Sequence, residues 1–116
     1  MAKEKEATSK NYEVKLTAFA LKNIDEITGY IAFINHQPIN AIKVGDAILK
    51  TIEQIEINPL LFRECEELPT KRKIYRKAIC QSWLIIFKIT GTVIIVLGII
   101  HSSRKPSRIR MLKKVT

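Results

Sequence analysis

The spacing of hydrophobic residues changes twice along this chain, and these changes constrain its fold more than any other feature. Tyr12, Val14 and Leu16 alternate with polar residues, a period of two that is typical of a half-buried strand. After Thr17, a residue type suited to an N-cap, apolar residues recur at intervals of three and four as far as Asn35. The sequence therefore predicts a strand followed by a helix.

A second helix is predicted to follow the first. Pro38 suits a first helical turn, and the helical spacing continues until Asn58-Pro59 ends it. The two helices would form a hairpin. The apolar positions expected to face the core are Leu21, Ile24, Ile27, Ile31 and Ile34 in the first helix and Ile42, Gly45, Ile48, Leu49, Ile52 and Ile55 in the second.

Beyond a polar loop at 60–70, the period changes again, to three strand-like runs at 73–79, 83–89 and 93–100. Lys88 and the Thr90-Gly91-Thr92 break divide the long apolar stretch from 83 to 100. Each part is much shorter than the roughly 20 residues that a membrane-spanning helix needs. The runs therefore predict an antiparallel meander rather than a membrane anchor.

These elements predict one α+β domain over residues 12–106, in the order β-α-α-β-β-β, with the helical hairpin packed on one face of an antiparallel sheet. Residues 1–11 would be a disordered polar leader and 107–116 a basic tail. The tail is open to three conformations: a short helix, a docked strand or a frayed end. We expect its loss to affect target binding more than folding. The second sheet face is also apolar, so either the helices wrap around it or a partner segment covers it.

Charge is distributed unevenly along the chain, whose net charge is +9. Residues 1–67 hold 8 basic and 11 acidic side chains, and the 49 residues after Glu67 hold 12 basic ones and no carboxylate side chain. Such a field attracts polyanions or an acidic partner. Cys65 and Cys80 form no CxxC pair, which predicts no metal site, no disulfide and no cofactor, and favours a reducing cytoplasm.

In order and spacing, residues 12–106 resemble the RelE/ParE superfamily of bacterial type II toxin-antitoxin toxins, the plasmid stabilisation family. The resemblance implies a small basic toxin that arrests growth when free. It also implies a cognate antitoxin that wraps an extended or helical segment around the toxin in a hetero-oligomer. The matching features are the opening strand YEVKL, Asn58-Pro59, Arg76, the aromatic residues Trp83 and Phe87, and the closing VLGIIHSSRKP.

Two target classes follow from the resemblance: RelE-like toxins cleave messenger RNA on the ribosome, and ParE-like toxins poison DNA gyrase. A ribonuclease needs acid-base groups and phosphate-stabilising cations, and Arg76, His101 and Arg104 are the candidates for these roles. Structural alternatives are that His101 caps or packs a strand end and that Arg76 pairs with a glutamate of the loop, Glu66 or Glu67. The residues expected to contact nucleic acid or another target are Lys71, Arg72, Lys73, Lys77, Lys105, Arg108 and Arg110.

Two departures favour the ParE-like class. No tyrosine follows Tyr75, although RelE-like ribonucleases often carry one near the C terminus, and Phe87 lacks a hydroxyl. The closing His-x-x-Arg-x-Pro pattern also resembles ParE-like members. Gyrase inhibition is therefore the leading hypothesis. A ribosome-dependent endoribonuclease is the second, and a non-toxic basic nucleic-acid-binding protein is the third.

Overall fold

A computed structural model describes residues 12–115, which form a mixed sheet with helices on one face and a loop and tail on the other. The predicted order of elements is confirmed, with a short C-terminal helix added, while the predicted leader lies outside the described residues. The elements are β1 (Glu13–Leu16), α1 (Ala18–Gly29) with a π-helical turn (Tyr30–Ile34), α2 (Pro38–Ile57), a 3-10 turn (Pro59–Leu61), β2 (Tyr75–Cys80), β3 (Trp83–Thr90), β4 (Val93–His101), α3 (Pro106–Arg110) and a final 3-10 turn (Met111–Val115).

The strands lie in the order β1-β4-β3-β2. β2, β3 and β4 form the predicted antiparallel meander, but β1 pairs with β4 in parallel, so the prediction of a wholly antiparallel sheet is wrong. Tight turns impose antiparallel pairing, and no such turn joins β1 to β4 because the helical hairpin and two strands intervene. Within residues 12–115, none of the helices has the length and apolar character needed to cross a membrane.

The main core lies between the helical hairpin and the sheet. Thr17 caps α1 as predicted, with its Oγ1 accepting from the Ala20 amide at 3.0 Å. Ile48 and Ile55 of α2 are fully buried against the sheet, where Ile85 and Phe87 meet them. Burying these side chains supplies most of the stabilisation of the hairpin.

Four hydrophobic positions predicted for this core are instead exposed. Successive helical residues are turned by about 100°, and the buried row of α2 runs through Ala41, Val44 and Ile48. Neighbours of that row therefore point away from the sheet, leaving the hairpin with a second apolar face. The exposed positions are Leu21, Ile34, Ile42 and Leu49, with relative exposures of 52%, 62%, 65% and 51%.

The second face of the sheet is covered by the chain itself, an arrangement different from both alternatives raised by the sequence. Cys65 and Leu68 of the loop pack there together with Ile109 and Leu112 of the tail. The tail takes up the helical alternative, and its apolar residues at intervals of three turn inward while the cations between them stay exposed. Because Ile109 and Leu112 are core residues, loss of the tail is expected to affect folding as well as target binding.

β4 contributes to both cores by the alternation of its side chains, and a β-bulge shifts that alternation by one residue. Phe87 pairs with Val96 and Ile86 pairs with Gly98, so Leu97 is the extra residue. Val96 packs in the helical core and Leu97 in the tail core, and after the bulge Ile99 is the next residue in the helical core. A Cβ on Gly98 would lie 2.9 Å from Leu112 Cδ2, so only glycine fits without a shift of its neighbours.

β4 is longer than β1, and α1 completes the edge of β4 beyond the end of β1. The Thr17 backbone N–H and hydroxyl donate to the carbonyls of Val96 and Leu97 at 3.1 and 3.0 Å. Asn23 then accepts from the Ile99 backbone N–H through Oδ1 at 2.9 Å. These bonds hold α1 beside the end of β4, where His101 lies.

Candidate functional site

His101 is the last residue of β4 and is half-buried. Its ring meets the Trp83 ring edge to face, with centroids 4.9 Å apart. The Ser103 backbone N–H donates to Nδ1 at 3.1 Å, and the Ser103 hydroxyl lies 2.7 Å from the same nitrogen. Because Nδ1 accepts, the neutral imidazole carries its hydrogen on Nε2. His101 therefore ties the strand end to the following turn.

His101 also lines a cleft of about 840 Å3 between α1 and the residues that follow β4. We call it the aromatic–cationic cleft. Its basic residues are evident from the sequence, but the contribution of α1 is not, because the apolar spacing of α1 indicates only a core helix. The cleft is lined by the aromatic residues Phe19, Tyr30 and Trp83, the cations Arg104, Lys105 and Arg108, the carboxylate Glu26, the buried Asn23, and Ile27, Ile31, Ile99, Ile100, His101, Ser103 and Ser107.

Arg76 lies on the opposite edge strand, β2, and does not converge with His101 and Arg104. Strand spacing and register place it on the order of 15 Å from His101. Its Nε donates to the Lys73 carbonyl at 2.9 Å and its Nη1 donates to the Phe62 carbonyl at 2.8 Å. The guanidinium thus fastens the loop before β2, a role that differs from both the catalytic and the glutamate-pairing interpretations.

Lys77, predicted to contact the target, is instead a buried structural residue that is 7% exposed. Its Nζ lies 3.6 Å from Glu67 and 3.9 Å from Glu66. Lys77 therefore makes the glutamate contacts that the sequence suggested for Arg76. Burial alone would raise the pKa of Glu67, but a hydrogen bond from its own backbone N–H and the Lys77 charge outweigh it and lower that pKa. Burial, together with a hydrogen bond to Glu67, raises the pKa of Cys65 to about 11.

The remaining predicted contact residues are all exposed, and they fall in two groups. Lys71, Arg72 and Lys73 lie in the turn before β2, where Lys73 has a φ of 54°. The other group follows β4 and consists of Lys105, Arg108 and Arg110. Only the second group adjoins the cleft that contains His101 and Arg104, so the structure divides the predicted site into two surfaces.

Comparison with known proteins identifies the family. Among curated proteins, none matches the sequence. One solved structure, from "Chromosomal ParDE TA system from P. aeruginosa", is 19% identical and superposes with a TM-score of 0.61, covering 78% of this chain and 95% of that one. At this identity the likeness shows a shared fold. The family described as ParE toxin of type II toxin-antitoxin system, parDE, matches residues 14–106, and the chain therefore belongs to the ParE toxin family.

Proposed function

We propose that this toxin arrests growth by binding DNA gyrase and does not cut messenger RNA. The observation that carries the proposal is the separation of the candidate ribonuclease residues. Arg76 is engaged by loop carbonyls on one edge of the sheet, whereas His101 ends β4 and Arg104 follows it. Phosphoryl chemistry needs its base and its stabilising cations around one reacting group, and backbone positions on the order of 15 Å apart argue against joint action of Arg76 and His101.

The basic tail side suits an anionic target such as the DNA held by gyrase. Residues 58–115 carry thirteen basic and three acidic side chains, a net charge of +10. The apolar anchors Ile109 and Leu112 face the core, so that Arg108 and Arg110 are held in solvent on a packed element. A fixed array of this kind attracts phosphates and speeds association.

The apolar outer side of the helical hairpin suits the antitoxin that membership of the family implies. Phe33, Ile39 and Ile42 are 77%, 71% and 65% exposed. Phe33, Ile42 and Leu49 also line a shallow groove between the two helices. Exposed apolar patches mark interaction sites, and an amphipathic helix laid in the groove would bury these side chains. We therefore assign antitoxin binding to this side of the toxin–antitoxin complex.

Parallel assays of gyrase supercoiling and of messenger cleavage on ribosomes test the proposed target. The purified toxin is expected to inhibit supercoiling and leave ribosome-bound messages intact. His101→Gln should inhibit gyrase as the unmodified protein does. The matched control is His36→Asn, since His36 is the only other histidine and its φ of 55° suits asparagine. Message cleavage that is lost in the His101 variant and kept in the His36 variant would overturn the proposal.

Co-expression with the product of the adjacent antitoxin gene tests the hairpin assignment. Phe33→Asp places a charge on the exposed apolar face without disturbing the core, so we expect folding to persist and affinity to fall by about tenfold or more. Lys50→Asp, at an exposed polar position of α2, is the control and should bind nearly as before. Equal affinity of the Phe33 variant and the unmodified toxin would exclude this face.

A further inference from the structure

We propose that the aromatic–cationic cleft binds a free nucleoside polyphosphate. Its volume of about 840 Å3 lies within the range of small-molecule sites, roughly 300–1,000 Å3. Aromatic side chains from α1 and β3 meet cations from the segment after β4 at this one place. The cleft therefore combines the two chemistries that a nucleotide presents, a flat base and a cluster of negative charge.

The aromatic part suits a base. Trp83 is half-buried, and the edge-to-face contact with His101 fixes its ring. Tyr30 and Phe19 from the helical side are 57% and 38% exposed. Aromatic faces at a cleft provide stacking surfaces worth about 1–3 kcal/mol per base. The ligand would cover apolar surface that is now open to water.

The cationic part suits a polyphosphate. Arg104, Lys105 and Arg108 line the cleft within five residues of sequence, against the single carboxylate of Glu26. Among the described residues, none of these three cations forms an ion pair. Arginine presents a planar fork that matches two phosphate oxygens at once. Three cations so close together favour the clustered charge of a polyphosphate.

Asn23 supplies a buried donor at the same place. It is 8% exposed and lines the cleft. Its Oδ1 accepts from the Ile99 backbone N–H, which fixes the orientation of the amide. Within residues 12–115, the amide nitrogen donates to no acceptor. A buried donor without an acceptor is costly, and a ligand oxygen would satisfy it.

The backbone near the cleft argues against an extended acidic peptide as the occupant. Such peptides usually bind by adding a strand to an open sheet edge. Here Thr17 takes up the carbonyls of Val96 and Leu97, and Asn23 takes up the Ile99 N–H. Three backbone groups of the edge that adjoins the cleft are therefore already bonded, which shortens the ladder open to a peptide, whereas a nucleotide needs no ladder.

Trp83 is the only tryptophan, so its fluorescence reports directly on the cleft. The full-length toxin would be titrated with ATP, adenosine, inorganic triphosphate, a short single-stranded oligothymidylate and hexaglutamate. We expect a saturable change with ATP at a Kd below about 1 mM, and binding at least about tenfold weaker for every other probe. The proposal fails if ATP gives no saturable change. It also fails if triphosphate binds as well as ATP, or if the oligonucleotide or the acidic peptide binds more tightly.

Two variants locate the binding. Arg108→Gln removes one exposed cation and should weaken ATP by about tenfold, while Lys71→Gln, a matched charge loss in the turn before β2, should leave the affinity unchanged. Asn23→Asp keeps an acceptor for Ile99 and places a negative charge in the cleft, so it should also weaken ATP. Urea unfolding checks each fold, and if the Asn23 variant does not fold, the Arg108 and Lys71 pair decides. Equal ATP affinities in that pair would overturn the nucleotide proposal. The separate proposal that the toxin binds gyrase would still stand.

Discussion

The two halves of this toxin, residues 12–57 and residues 58–115, differ in net charge and in where their large apolar side chains lie. Residues 12–57, which include the helical hairpin, carry four basic and six acidic side chains, a net charge of −2, and leave large apolar residues exposed. Residues 58–115 carry a net charge of +10 and bury their apolar anchors under exposed cations. One side is suited to a protein partner that buries apolar area, and the other to an anionic target. Under the proposed function, antitoxin binding and action on gyrase therefore use different parts of the fold.

Truncation after Pro106 is expected to have the largest effect on the difference between the two halves, because it removes the apolar anchors of the basic half. It removes Ile109 and Leu112, which are 3% and 2% exposed. Each large buried side chain lost costs about 2–5 kcal/mol, against a total stability of about 5–15 kcal/mol. We expect the cooperative unfolding transition in urea to weaken severely or disappear. Combined Arg110→Gln and Lys113→Gln, which keep both anchors, should change stability by less than about 1 kcal/mol. A truncated toxin that unfolds like the full chain would show that the tail is not a core element.

One substitution made on each side sharpens the comparison. Leu112→Ala empties a site in the tail core and should destabilise by about 2–5 kcal/mol. Leu49→Ala alters a side chain that is 51% exposed on the outer face of the hairpin, so we expect less than about 1 kcal/mol. Urea unfolding measures both. Equal losses would mean that the outer face of the hairpin is as well packed as the tail core.

Loss of the Lys77–Glu67 ion pair is expected to have the smallest effect on stability, and that effect should depend on pH. Lys77→Met should destabilise by about 1–3 kcal/mol at neutral pH, because it removes a buried partner of Glu67. The lowered pKa of Glu67 in the folded state adds stability above the ordinary glutamate pKa, about 4.3. This contribution is lost as pH falls through the lowered pKa.

Urea unfolding between neutral pH and about pH 3 should therefore show a shallower acid loss in Lys77→Met than in the unmodified toxin. Lys71→Met, at an exposed position, is the control and should follow the unmodified curve. Parallel curves for all three proteins would mean that Lys77 does not set the Glu67 pKa.

Local signals in the sequence were sufficient for the helices and the meander. Thr17 supplies an N-cap, Pro38 starts α2, and the Asn58-Pro59 step ends it, each through backbone chemistry that acts within one turn. The direction of β1 was not accessible in this way, because its partner β4 lies far along the chain. The exposure of Leu49 was also missed, since a helix with two apolar faces does not show which one meets the sheet.

The candidate site was harder to predict because its parts meet only in the folded chain. Adjacent residues of a strand point to opposite faces of the sheet. Because of this alternation, Lys77 rather than Arg76 contacts Glu66 and Glu67. The basic character of residues 104–108 was evident from the sequence. The aromatic residues that face them come from α1 and β3, and no pattern in the sequence joins these segments.

The parallel pairing of β1 with β4 also sets when this toxin can fold during its synthesis. β1 and the helical hairpin leave the ribosome first, but the sheet neighbour of β1 is residues 93–96, and the cover of the second face is residues 109–112. Contacts so distant in sequence close late, after a large loss of chain entropy. A nascent chain therefore shows the apolar hairpin before the basic tail is fixed in place. If the hairpin binds the antitoxin as proposed, antitoxin that is already present can capture the toxin before its basic tail is in place.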